Sequence, residues 1–114
     1  MPLLKIHTNV EREPGESQPS LLRASRLVAD RLGKPEKYVM VALEAGIPMV
    51  FAGSEAPAAY LELKSIGLPA ERTAELSAAL GEFMYEEFGV RAGRVYIEFA
   101  DAAPNLWGWN GETF

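Results

Sequence analysis

Apolar and polar positions along the chain form a pattern that is laid down twice. Leu3 to Thr8 reads as a strand, and the spacing predicts a helix over Pro19 to Leu32. Leu21, Ser25, Val28 and Leu32 share one face of that helix, Leu22, Ala24 and Leu27 widen it, and Arg23, Arg26, Asp30 and Arg31 lie toward water. Pro19 suits a first helical turn, and Gly33 followed by Pro35 is a stop signal. Tyr38 to Leu43 then reads as a strand, and Met49 to Ala52 as a short extra one. The second half repeats the scheme. Ala58 to Ile66 is a strand, Pro69 opens a helix over Ala70 to Phe88, Gly89 closes it, and Arg94 to Phe99 is the last strand. Leu76, Ala79, Leu80, Phe83, Met84 and Phe88 form the second helix's apolar stripe. The halves fall in step: Leu27-Val28, Leu32-Gly33, Val39, Val41 and Leu43 recur in type as Phe83-Met84, Phe88-Gly89, Val95, Ile97 and Phe99. That is the signature of an internal repeat.

A strand–helix–strand unit of this length makes a parallel pair through a right-handed crossover. Two such units predict an α+β fold, with a four-stranded mixed sheet and both helices on one face. Val39 to Leu43 and Met49 to Ala52 are apolar at every position, where one wet face would impose alternation. A second apolar face requires a partner, and another copy of the chain is the simplest one. An obligate homo-oligomer is therefore expected, against the alternative of a ferredoxin-like monomer with a tolerably wet second face. The C-terminal stretch, Pro104 to Phe114, carries two tryptophans and a final phenylalanine. They must bury in the core, in a subunit interface, or as the wall of an apolar pocket.

Composition narrows the function. The 114 residues suggest one domain over 1–114, and 48% hydrophobic content allows a core. A net charge of −5, from 11 basic and 16 acidic residues, disfavours a nucleic-acid partner. Without cysteine there is no disulfide, thiolate nucleophile or Cys-ligated metal, and His7 is the only histidine. No metal or cofactor is expected. No apolar run reaches the ~20 residues of a membrane span, and the N-terminus lacks a secretory signal. A soluble, cytoplasmic protein is the expectation, with no membrane partner and with non-classical secretion left open.

The candidate chemistry lies in Met1-Pro2. With Met1 attached, the Pro2 nitrogen is an amide with neither a lone pair to offer nor an N–H. With Met1 removed, it becomes a secondary amine that can act as a base. The small second residue favours that removal. Many chains open Met-Pro without consequence, so the dipeptide needs support from the rest of the chain.

That support is a resemblance over essentially the whole chain. Met1-Pro2 with Thr8-Asn9-Val10, Gly33-Lys34-Pro35 with Tyr38, Ser65-Ile66-Gly67, Arg94-Val95-Tyr96-Ile97, Asp101, and the ending Gly108-Trp109-Asn110-Gly111-Glu112-Thr113-Phe114 occur in order. Together they resemble the macrophage migration inhibitory factor family of the tautomerase superfamily. The resemblance implies two βαβ repeats per subunit and a homotrimer whose sheets wrap a central barrel. It implies keto–enol tautomerase activity on phenylpyruvate-like α-keto acids and dopachrome-like compounds. It makes Pro2 the catalytic base, Lys34 the pocket lysine beside it, and Ile66 a backbone contact to substrate. Tyr96 becomes an aromatic contributed by the neighbouring subunit, and Tyr38, Trp107, Trp109 and Phe114 become pocket walls.

Read without the resemblance, Lys34 is an exposed lysine at a helix C-terminus, Tyr96 a packed strand aromatic and Ile66 plain core. Glu98 stands where the family's best-known animal members carry asparagine. Facing the pocket, it would oppose an anionic substrate and raise the amine pKa; otherwise it pairs with a neighbour's lysine or meets solvent. The Cys-x-x-Cys of some animal members is absent, with Ala58 and Leu61 in its places, and the loop Glu11 to Gln18, with Pro14-Gly15, differs. Thiol redox activity is therefore not carried over, and the receptor partner is left unknown. A cytokine-like binding protein with vestigial activity is the alternative to an enzyme, and a purely structural ferredoxin-like module is the third reading.

Overall fold

The computed structural model describes residues 1–114. Strand β1 (Leu3–Thr8) leads to helix α1 (Pro14–Leu32) and strand β2 (Met40–Glu44). Strand β3 (Ala59–Ile66), helix α2 (Thr73–Phe88) and strand β4 (Val95–Ala102) repeat that order. The sheet runs β2-β1-β3-β4. β1 and β2 are parallel, β3 and β4 are parallel, and β1 meets β3 antiparallel, with Leu3 opposite Lys64 and Ile6 opposite Leu61. This is the predicted α+β arrangement of two βαβ units in a four-stranded mixed sheet.

Strand alternation builds the core. Leu4 and Ile6 from β1, and Ala59, Leu61 and Leu63 from β3, point under the helices. They meet Ala24 and Val28 of α1 and Leu76, Leu80, Phe83, Met84 and Phe88 of α2. The α2 stripe is the one predicted, preceded by a 3₁₀ turn at Ala70–Arg72.

The first helix departs from expectation. It starts at Pro14, so Pro19 lies inside it and Glu11 to Gln18 is largely helix instead of loop. Pro14 fills the first helical position, where a missing N–H costs nothing. The Glu13 N–H donates to the Glu16 carboxylate at 3.1 Å. Pro19 removes only a bond to the carbonyl of Gly15, which is exposed to water. The buried face is also rotated from the one predicted: Ser20 is buried while Leu22 is 54% exposed. Ser20 can be buried because its hydroxyl donates to Glu87 at 2.8 Å and accepts from Arg12 at 2.8 Å.

Glu87 also receives two bonds from Arg23, both at 2.7 Å, tying α1 to the end of α2. The Arg23 bonds hold its carboxyl below the ordinary value of 4.5, with help from Ser20 and Arg12 and against the effect of burial. A depressed carboxyl stabilises the fold above its unfolded pKa and loses that contribution as pH falls through the folded value. Glu87→Gln should therefore cost about 1 kcal/mol at pH 7. The gap to the native protein should close as acid protonates the Glu87 carboxyl, which the glutamine variant lacks. Urea midpoints across pH 3 to 7 check this, and a gap constant with pH would refute it.

Two other expected strands are corrected. Residues 36–38 form a 3₁₀ turn, so β2 starts at Met40 instead of Tyr38. Met49 to Ala52 is no strand. Ala52 and Gly53 take φ of 54° and 73°, and a single bridge, Phe51 to Ser54, closes the turn. Arg94 holds this loop through the carbonyls of Phe51, Ser54, Ala56 and Pro57 at 2.9–3.1 Å.

The uncovered sheet face is not the apolar surface the β2 run suggested. Its middle carries Lys5, His7, Glu62 and Lys64. Lys64 lies 3.2 Å from Glu62, Lys5 lies 3.9 Å from it, and His7 lies 3.5 Å from Glu44. Apolar exposure sits instead toward the two sheet edges, at Met40 on β2 and Tyr96 on β4, and at Val50 in the connecting loop. The β2 run misled because Val41 and Leu43 face the helices while Met40 and Ala42 face outward, and both sets happen to be apolar.

Candidate active site

The N-terminus of β1 ends in a cavity of about 420 Å³, within the usual range for small-molecule sites. Met1, Pro2 and Leu3 form its floor, and Tyr38, Val39 and Met40 one side. Trp107, Gly108, Trp109 and Phe114 close the other side, and Lys37 completes the wall. Pro2 is fixed because it continues the helix-facing register of β1: its side chain is fully buried, and its carbonyl accepts the Met40 N–H at 3.0 Å.

The far wall is a small hairpin. β5 (Gly108–Trp109) pairs with β6 (Glu112–Thr113) across Asn110-Gly111, whose φ values are 54° and 77°. Asn-Gly is the sequence signal for such a turn, because both central positions need positive φ. Strands of two residues do not hold by themselves. Aromatic contacts dock this hairpin: Trp109 stacks on Phe114 at 5.4 Å, and Tyr38 meets both nearly at right angles, at 5.6 and 5.7 Å. The Phe114 N–H bonds the Trp107 carbonyl at 3.2 Å.

The electrostatics suit a base. With Met1 in place the terminal nitrogen is the Met1 amine. Burial lowers its pKa below 8.0, and the nearby Lys34 charge lowers it further. Lys34 follows the left-handed cap of α1 at Gly33, where φ is 63°. It acts on the terminus through its charge but does not line the cavity. The lysine on the wall is Lys37, which sequence reasoning missed; a solvent-facing residue in a 3₁₀ turn has no periodic signature. Leu3 and Met40 were also missed as lining residues, although strand continuity past Pro2 could have suggested Leu3.

The remaining predicted residues are separated from this cavity. Carrying the β1–β3 register two places on brings Ile66 level with Met1, at the end of β3 and partly buried, but outside the lining. Tyr96 lies two strands away, on the order of 20 Å from Pro2. It packs on Phe51 at 4.8 Å and is 66% exposed. Glu98 accepts a hydrogen bond from the Tyr60 hydroxyl at 3.0 Å on the open sheet face, so within one chain it does not face the Pro2 cavity.

Comparison with known proteins agrees along the full length. The family described as Macrophage migration inhibitory factor (MIF) matches residues 1–114. A macrophage migration inhibitory factor homolog of Brugia malayi is 39% identical over 115 residues, covering 100% of this chain and 99% of its own. D-dopachrome decarboxylase-B of Xenopus laevis is 33% identical, covering 97% and 95%. The crystal structure of the Prochlorococcus marinus homologue superposes with a TM-score of 0.93 at 42% identity, covering 98% of each chain.

Proposed function

The chain belongs to the macrophage migration inhibitory factor family, and on that footing we propose that it is a keto–enol tautomerase of phenylpyruvate-like α-keto acids. The observation that carries this reading is Pro2 itself, buried at the floor of an aromatic-walled cavity with a cation nearby. Dopachrome-like compounds are a second substrate class for the same walls; a relative named D-dopachrome decarboxylase-B supports this extension.

The mechanism proposed draws on this geometry. Loss of Met1 turns the Pro2 amide into a secondary amine inside the cavity. Desolvation and Lys34 hold that amine neutral. Its lone pair takes a proton from the carbon beside the keto group, the C–H electrons form the C=C bond, the C=O π electrons move onto oxygen, and that oxygen takes the proton back from the prolinium nitrogen, which restores the neutral amine. The Lys34 charge attracts the carboxylate from outside the lining, and the aromatic walls exclude water and orient the ring.

The exposed apolar edges support a homotrimer. β2 and β4 both end the sheet, and Met40 and Tyr96 are uncovered there. A neighbouring copy against β2 would bring its own Tyr96 and Glu98 toward this cavity, which one chain cannot do. The three sheets would then wrap a barrel lined by the charged open face.

Enol absorbance of phenylpyruvate, followed with protein that begins at Pro2, tests the activity. A rate above buffer is expected, and a rate equal to buffer would leave only a cytokine-like binding role. Light scattering should return three times the 12.5 kDa chain mass; a monomer would remove the shared site.

A further inference from the structure

Lys37 is the one charged side chain on the cavity wall. Its ammonium stands 5.1 Å from the Tyr38 ring centroid, a cation–π distance that biases it toward the aromatic wall. Neither Lys37 nor Lys34 forms an ion pair, although acids outnumber bases 16 to 11. Within one chain, two cations without carboxylate partners thus stand near one apolar cavity, Lys37 on its wall and Lys34 outside the lining. Lys34 acts on the chain terminus at the floor, and Lys37 stands by the Tyr38 wall. An acidic protein repels a doubly negative ligand everywhere except where such lysines reverse the local field.

We propose that Lys37 makes this site selective for aromatic α-keto acids carrying a second anionic group on the ring. The keto-acid carboxylate lies toward the Lys34 charge near the floor, and the distal group goes to Lys37 on the wall. The proposal rests on the tautomerase reading above for the reaction, but not for the binding preference. A monoanionic phenylpyruvate uses only one of the two cations; a para-carboxylated one uses both.

The test compares 4-carboxyphenylpyruvate with phenylpyruvate on protein beginning at Pro2. The ratio of their kcat/KM values should fall about fivefold in Lys37→Gln, the upper range for a solvent-accessible pair. It should fall further in Lys37→Glu and also decline with added salt. Lys37 is exposed, so the fold is not at stake. Both tryptophans of the chain, Trp107 and Trp109, line the cavity. Intrinsic fluorescence therefore reads occupancy without turnover, with 4-carboxyphenylpropanoate and phenylpropanoate as unreactive probes. Ratios unchanged by Lys37→Gln in both assays overturn the proposal. A fluorescence ratio that depends on Lys37 with no turnover of either keto acid upholds the anion site and overturns the tautomerase reading instead.

Discussion

Protein that keeps Met1 is expected to enolise phenylpyruvate at least about a hundredfold more slowly than protein that begins at Pro2, the span attributed to a positioned general base. Acylation of the Pro2 nitrogen removes its lone pair, and Met1 itself occupies part of the cavity floor. The two forms differ by one residue, so intact mass and rate on the same samples decide the matter. Equal rates would exclude Pro2 as the base. Pro2→Gly, also freed of Met1, should lose activity through poorer placement while keeping an amine. The pH profile carries the sign. The neutral amine is the active form, so the rate should rise with pH through the amine's pKa, lowered from an ordinary secondary amine's by the burial and the Lys34 charge that lower the Met1 amine in the chain that keeps Met1. Lys34→Ala should move that limb to higher pH. A limb that stays in place would show that Lys34 does not act on the base.

Tyr38→Ala should have the next largest effect. It deletes two aromatic contacts, to Trp109 at 5.6 Å and Phe114 at 5.7 Å, worth about 1–3 kcal/mol together. The β5–β6 hairpin has too few backbone bonds to stay docked without them. The cavity would lose a wall, and misplacement on the order of 1 Å can cost about a hundredfold in rate. A fall in kcat/KM of at least about tenfold is expected, with tryptophan emission shifted to the red. Emission unchanged in Tyr38→Ala would mean that the hairpin is held by something else.

The repeat-level fold was legible because helix and strand periodicities are local and strong. The α2 stripe and the core strands β1 and β3 needed only one-dimensional reading. The start of α1 was not, because Pro14 and Pro19 both suit a first turn and only the Glu13–Glu16 contact chooses between them. The open sheet face was misread from β2, where inward and outward residues are both apolar, while β1 and β3 stated the alternation plainly. The site was legible in part. Pro2, Tyr38, Trp107, Trp109 and Phe114 do meet around one cavity.

The order of residues alone determined two strand–helix–strand units, a proline directly after Met1, and a tail too aromatic to remain in water. Each is fixed by neighbours a few positions apart. The fold alone decided which lysine lines the cavity, that an Asn-Gly hairpin brings Phe114 back onto Tyr38, and that Tyr96 and Glu98 are remote from Pro2 within one chain. Those outcomes depend on strand order and register, which join residues distant along the chain and carry no periodic trace in it.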